Sequence, residues 1–181
     1  MGENVSEDHP ELMKVSLIAA IDENRLIGTV NGGLPWQGMV RDKRHFHNYV
    51  KGKSLLLGRR TFEEMKGWFV QGHRPIVLTR NKCYELTLVG SVAFTLEQAI
   101  SVAEAQGEDE LVVCGGAEVY ALAIDFADQI ILTILHTTFD VEGEGKYFPD
   151  WERNGFRVVS KERFTEGPGN PFAMSVMHLT H

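Results

Sequence analysis

The residue of this chain best placed to do chemistry is a carboxylate on what should be the apolar face of a helix. If residues 41–51 are helical, the 3.6-residue period lines Asp42 up with Phe46, Tyr49 and Val50. Burying an unpaired carboxylate costs several kcal/mol or raises its pKa, so such a group is paired, hydrogen-bonded or used as an acid. The plain alternative is a first-turn residue that complements the helix dipole with its head in water.

A second constellation is built from glycines and cations. Strand-like runs exit at Gly28, at Gly58 and at the pair Gly115 and Gly116, and the last two exits open onto predicted helices. Free N–H groups and a positive dipole end would then face the carboxyl edge of a sheet, where phosphates bind. Arg59, Arg60 and Thr61 follow Gly58, and Thr79 and Arg80 end the next run. Two or three phosphates on one elongated ligand would suit that cluster, as in a dinucleotide carrying an additional phosphate. Solvated helix-start arginines beside simple turns are the competing explanation, since the segment is no G-x-G-x-x-G fingerprint.

The connection from Asp22 to Gln37 is long, irregular and glycine-bearing, and it ends in Leu34, Pro35 and Trp36. A loop of that length in a compact domain tends to be a lid. It would supply an apolar ceiling over the acid, although a tryptophan covering the core edge fits the same residues. His45 and His47 leave a helix in different directions, which is poor geometry for one metal ion, and His136, His178 and His181 lack neighbouring ligands, so no metal site is expected. No serine or cysteine sits in a nucleophile-elbow context, which disfavours triad hydrolysis.

These groups need a frame. Apolar runs at 15–21, 54–57, 75–78, 111–114 and 130–135 alternate with helical segments at about 41–51, from Thr61, at 95–105 and from Ala117. That alternation predicts a mainly parallel sheet with helices on both faces. Thr95 and Gln98 form a capping box at the third helix. Residues 155–163 and 172–179 read as a terminal antiparallel hairpin around the Gly167–Pro171 turn. With 181 residues, 43% of them hydrophobic, the chain makes one domain over 13–181, preceded by a polar, acidic extension at 1–12 expected to be mobile. A net charge of -7 without a basic run argues against nucleic acid or an anionic membrane as the partner. Two cysteines in no metal spacing, no membrane-length apolar run and no signal-peptide layout lead us to expect a cytoplasmic protein.

The runs V-S-L-I-A-A-I (15–21), R-L-I-G (25–28), L-P-W (34–36), D-K-R-H-F (42–46), L-G-R-R-T-F-E (57–63), I-V-L-T-R (76–80), V-V-C-G-G-A-E-V-Y (112–120), L-T (132–133) and E-G…Y-F-P (142–149) together resemble dihydrofolate reductase. The likeness is collinear from Met13 to the C-terminus. It implies an α/β fold with an eight-stranded, mostly parallel sheet, helices on both faces and an antiparallel C-terminal hairpin. It also implies a reaction, hydride transfer from NADPH to C6 of 7,8-dihydrofolate with protonation at N5, which feeds one-carbon metabolism and is a target of antifolates. A monomer is expected, with dihydrofolate and antifolate-type molecules as partners.

Carried across by this resemblance, Asp42 would orient the pterin and promote N5 protonation, with Thr133 and a water beside it and with Leu34 and Trp36 forming the lid side of the catalytic pocket. Ile18, Ala20, Phe46, Met65, Val70, His73, Cys114 and Tyr120 would line the substrate pocket. Ala20, Ile27, Gly28, Gly58, Arg59, Arg60, Thr61, Leu78, Thr79, Arg80 and the run Cys114, Gly115, Gly116, Ala117, Glu118, Val119 and Tyr120 would hold NADPH, with a cis peptide joining the glycine pair. The cations favour a 2′-phosphate over a free ribose hydroxyl. One departure concerns the substrate's glutamate tail. Gly72 is followed by His73 where the family usually places an arginine, and Arg74 would point to the opposite face of its strand. Lys43 could supply a substitute cation. Two other readings share much of this pattern: a related pterin or riboflavin-pathway reductase on the same fold, and a non-catalytic nucleotide-binding module.

Overall fold

The computed structural model describes residues 13–69, 72–86 and 89–181. Eight strands form one sheet: β1 (Lys14–Ile21), β3 (Ser54–Gly58), β4 (Arg74–Leu78), β5 (Ser91–Ala93), β6 (Glu110–Gly115), β7 (Gln129–Leu135), β9 (Arg157–Phe164) and β10 (Met174–Thr180). Their order across the sheet is β5-β4-β3-β6-β1-β7-β10-β9, and pairing is parallel up to β7. Strands β10 and β9 then run antiparallel, completing the sheet as the terminal hairpin. The expected mobile extension falls on residues 1–12, outside the described residues.

Both faces of the sheet are covered, for a reason visible in β1. Its alternate residues point to opposite sides. Val15, Leu17, Ala19 and Ile21 join Ala99 and Ala103 of α3 (Leu96–Ala105) and Val119 and Ala123 of α4 (Ala117–Ala123) in one core cluster. Ile18 faces the other way, into a cluster with Phe62 of α2 (Arg59–Glu64), Val50 of α1 (Val40–Val50), Leu55, Leu57 and Val112. Further core residues pack against each face, so the strand ends are held in fixed register on both sides.

Four local differences from the sequence reading stand out. The connection 22–37 is not structureless. It contains β2 (Leu26–Thr29), which pairs antiparallel with β8 (Gly145–Tyr147) as a separate two-stranded sheet. Four residues are too few to show a period. Strand β5 is a three-residue edge strand, too short to show a period and supported by its parallel pairing with β4. Helix α2 begins at Arg59, directly on the exit of β3, so Arg59 and Arg60 are helical residues instead of loop residues. At α3 the capping box forms with a shift: Thr95 Oγ1 accepts from Gln98 N–H (3.2 Å), while Gln98 Oε1 accepts from Phe94 N–H (2.9 Å), one residue earlier than a reciprocal box would have it.

The start of the 22–37 connection is stapled by one buried side chain. Asp22 Oδ1 accepts N–H bonds from Asn24 and Leu26, each 2.8 Å, and its Oδ2 accepts from Phe139 N–H at 3.0 Å. Its carboxylate is therefore paired by backbone amides from two loops at once, which is how a buried charge is tolerated.

Candidate functional site

Asp42 is the third residue of α1, and Met39 precedes the helix without a side-chain cap. Its place in the first turn favours a negative charge there. Yet the head is not in water, since Asp42 is 8% exposed. Burial raises its pKa above the ordinary carboxylate value, against smaller opposing effects from a hydrogen bond with the Thr133 side chain and from the charges of His45 and Lys43. Thr133, itself buried, stands on β7 directly opposite Ala20 of β1 and Val176 of β10. A carboxyl group that is enclosed, hydrogen-bonded and more proton-avid than usual is equipped for proton transfer.

The rest of the expected pocket gathers around it. Ile18, Cys114 and, less completely buried, Phe46 and Met65 belong to the cluster beneath α1 and α2. The Tyr120 hydroxyl donates to the Ile18 carbonyl oxygen at 2.6 Å, and burial, followed by the charges of Cys114 and Asp42, drives its pKa well above the tyrosine value. Burial likewise pushes the Cys114 thiol up, so it is an apolar wall and not a nucleophile. Trp36 is 4% exposed and packs with Met39, Leu135, Met174 and, at 5.4 Å between ring centroids, Phe139. It therefore covers the core edge at Ala20 as well as flanking the site, and its buried Nε1 has no hydrogen-bond partner within the protein. Leu34 is exposed on the lid.

The phosphate-side residues also converge. In the sheet register Gly58 lies opposite Leu78, and Leu57 lies opposite Gly115, so the exits of β3, β4 and β6 are neighbours. The Gly115–Gly116 peptide is cis. Gly115 has φ +106°, and a Cβ there would sit 2.9 Å from the Tyr120 ring; one on Gly116 would lie 3.1 Å from Thr61 Oγ1 and one on Gly58 3.0 Å from Val119 Cγ2. The three glycines thus let the side chains of Tyr120, Thr61 and Val119 close in on a backbone that is left bare at the starts of α2 and α4. Ile27 and Leu78 pack partly buried against the core, and Gly28 is buried beside Gly33. A Cβ on Gly28 would meet the Gly33 carbonyl oxygen at 3.0 Å.

Several polar groups are already engaged. Arg59 pairs with Glu63 at 3.0 Å, and Arg80 with Glu118 at 3.3 Å, the latter with both side chains largely in solvent. Arg60 is exposed, and the Thr79 hydroxyl accepts the Asn81 N–H at 3.1 Å. Exposed pairs of this kind exchange partners at little cost, so the arginines stay available to an anion.

The tail end of the pocket differs most from expectation. His73 is 8% exposed and stacks on Trp68, 4.4 Å between centroids at 12°, with His47 set edge-on at 6.2 Å. Burial, then the neighbouring His47, holds its pKa below the histidine value, so at neutral pH it is an uncharged aromatic ring. Arg74 is committed elsewhere, to Glu108 and the Gly52 carbonyl oxygen. Val70 lies outside the described residues. Trp68, His45 and Asp22 were not singled out as site residues from sequence. His45 carries a usable signal, its position three residues after Asp42 on one helix face, which a metal-ligand reading does not use. Among the described residues there is no group of three or more His, Cys, Asp or Glu side chains that could hold a metal ion, and no helix is long and apolar enough to cross a membrane.

Comparison with known proteins gives one consistent result. A family model described as dihydrofolate reductase matches residues 14–181. A Bacillus subtilis protein named dihydrofolate reductase is 33% identical over 161 residues, 87% of this chain and 89% of that one. An Escherichia coli protein named dihydrofolate reductase type A13 is 34% identical, over 85% of this chain and 88% of its own length. A solved structure of dihydrofolate reductase from Enterococcus faecalis, complexed with NADP(H) and RAB-propyl, superposes with a TM-score of 0.81 at 28% identity, covering 92% of this chain and 95% of that one.

Proposed function

The chain belongs to the dihydrofolate reductase family, and from that premise we propose how its own residues carry out the reaction. It reduces 7,8-dihydrofolate to 5,6,7,8-tetrahydrofolate with NADPH. When bound, NADPH supplies the hydride delivered to C6. Asp42 supplies the electrostatics for the proton at N5: its carboxylate, dry and held by Thr133, grips the polar edge of the pterin and stabilises positive charge on the ring. The observation that carries this reading is the 8% exposure of a carboxylate whose fold partner is a buried threonine.

The residues present fit the cofactor. The bare cradle at Gly58, Gly115 and Gly116 would accept a diphosphate against the starts of α2 and α4, and Arg59, Arg60, Thr61 and Arg80 would surround the adenosine phosphates. Tyr120, anchored to Ile18, would fix the floor beside the nicotinamide. The lid bearing Leu34 would exclude water on closing. At the other end, a neutral His73 replaces a cation, so the glutamate tail of the substrate is held weakly and Lys43 on α1 is the candidate to take its place. We read residues 13–181 as a single domain acting as a monomer in the cytoplasm, with small molecules as its partners.

The test is NADPH oxidation followed by absorbance with dihydrofolate, for the parent and Asp42→Asn together. A fall in kcat/KM of about 100-fold or more, the scale of a lost acid-base group, is expected. Full activity in the variant would refute the role of Asp42, and NADPH binding without turnover in the parent would leave a nucleotide-binding module.

A further inference from the structure

Outward from Asp42, the pocket wall becomes a set of packed rings. One turn along α1 stands Phe46, and its ring meets that of Trp68, on the 3-10 turn Lys66–Trp68, at 5.5 Å between centroids. Trp68 in turn stacks on His73, just before β4, with centroids 4.4 Å apart and the planes within 12°. His47 of α1 is edge-on to both rings, at 5.8 and 6.2 Å, and Phe69 is edge-on to both at 5.3 and 6.0 Å. Phe46, Met65 and Trp68 also pack against the buried cluster that holds Ile18 and Cys114, so the rings continue the wall that begins beside the acid.

Such a wall suits one kind of guest. Stacked and edge-on rings hold an aryl group by shape, by ring contact and by the apolar area removed from water, with no demand on charge. A carboxylate has much less to gain here. Arg74 is drawn away to Glu108 and the Gly52 carbonyl oxygen. Lys43, His47 and Lys66 are exposed, and an exposed ion pair is worth at most about fivefold in affinity. His73 is enclosed by its aromatic neighbours, 8% exposed, and presents a ring face and not a charge.

Resting on the reductase reading above, we propose that Trp68, backed by His73 and His47, determines the substrate class: the site selects dihydropterins that carry an aryl group beyond the pterin ring and is nearly indifferent to a carboxylate past that group. In dihydrofolate the aryl group is the aminobenzoyl ring. With the pterin held at Asp42, the aminobenzoyl ring passes Phe46 and lies against the Trp68 indole, and the glutamate past it meets only exposed cations. Aryl-substituted dihydropterins with another amino-acid tail, or with none, are therefore substrates of the same site.

The experiment compares kcat/KM for three substrates in the parent, Trp68→Ala and Trp68→Phe: 7,8-dihydrofolate; 7,8-dihydropteroate, which keeps the aryl ring and lacks the glutamate; and 6-methyl-7,8-dihydropterin, which lacks both. In the parent, dihydrofolate should exceed dihydropteroate by no more than about fivefold. A larger advantage would mean that the tail itself is gripped, and it overturns the proposal. The advantage of dihydropteroate over the methyl compound should shrink about tenfold in Trp68→Ala, the scale of a lost aromatic pair, and be largely retained in Trp68→Phe. A general loss of structure would lower all three rates together, so an advantage unchanged in Trp68→Ala refutes the role of Trp68. Should that variant fail to fold, the parent comparison still decides whether the glutamate matters. Absence of turnover with all three substrates would instead defeat the reductase reading, and binding of dihydrofolate and dihydropteroate, read by quenching of tryptophan fluorescence, would then judge the selectivity by the same limit of about fivefold.

Discussion

Replacing Gly58 by alanine should damage stability and cofactor binding through two separable causes. The backbone at Gly58 is extended, so alanine is conformationally acceptable there. The obstacle is spatial: the new methyl group would meet Val119 Cγ2 at 3.0 Å, tighter than ordinary contact, with the Gly115 carbonyl oxygen and Gly116 nitrogen at 3.8 Å behind it. Val119 is buried on α4, so relief requires that helix to shift from β3, and overpacking of this kind costs about 1–3 kcal/mol. For a domain of this size each kcal/mol lowers Tm by about 2–4 °C, so a loss of about 2–12 °C is expected. Val119→Ala should relieve the clash, giving a favourable coupling of about 1–2 kcal/mol in a double-mutant cycle read by urea denaturation. Affinity for NADPH, measured by fluorescence titration, should fall about tenfold or more in Gly58→Ala and stay low in the double variant, because the methyl group still occupies the cradle. If the double variant recovered parental NADPH affinity along with its stability, the bare backbone at Gly58 would be a packing device only and the phosphate assignment would be wrong.

Three further outcomes can be checked. Arg80→Gln should leave stability within about 0.5 kcal/mol, because its pair with Glu118 is exposed, while shifting the NADPH-over-NADH preference in kcat/KM by about tenfold; an unchanged preference would remove Arg80 from the 2′-phosphate site. His73→Phe should raise the KM for dihydrofolate less than twofold at about pH 7.5, where the ring is neutral, and a much larger loss would show that His73 grips the tail directly. Burial acts to raise the Glu110 pKa, but hydrogen bonds from Lys53, Ser16 and Tyr49 together hold it below the ordinary value of 4.5. Glu110 therefore contributes stability above that pH, which is lost as pH falls through its lower folded value. The urea midpoint of the parent should drop more steeply below pH 4.5 than that of Glu110→Gln, and parallel curves would refute the linkage.

What the sequence disclosed follows from which interactions are local. The alternation of apolar runs with helical segments was enough for the central sheet, because β1, β3, β6 and β7 are buried on both faces and read as unbroken hydrophobic stretches. Asp42 was legible because a charge breaks the apolar stripe of α1. Strands β2 and β5 were not, since each is defined by a partner distant in the chain or at a sheet edge and neither is long enough to show a period. The ionic state of His73 was hidden for the same reason. Its stacking on Trp68 is tertiary, and nothing in the run Gly72, His73, Arg74 announces that the ring will be enclosed and the arginine drawn away to Glu108.

The small sheet of β2 and β8 changes the entropy of lid closure. With Asp22 fixing the entry, Leu26–Thr29 paired to Gly145–Tyr147, Val30 N–H bonded to the Glu144 carbonyl oxygen at 3.1 Å, and Trp36 buried, the stretch left to reorganise is only residues 31–35. Halving a free loop lowers its closure cost by about 0.6 kcal/mol, and each residue already fixed avoids about 1–2 kcal/mol of backbone ordering. The tip also has somewhere to land, since Gly33 N–H reaches Glu64 Oε2 on α2 at 3.2 Å. Binding energy from the substrate is therefore drawn on for orienting the reacting atoms, with little of it consumed in freezing chain.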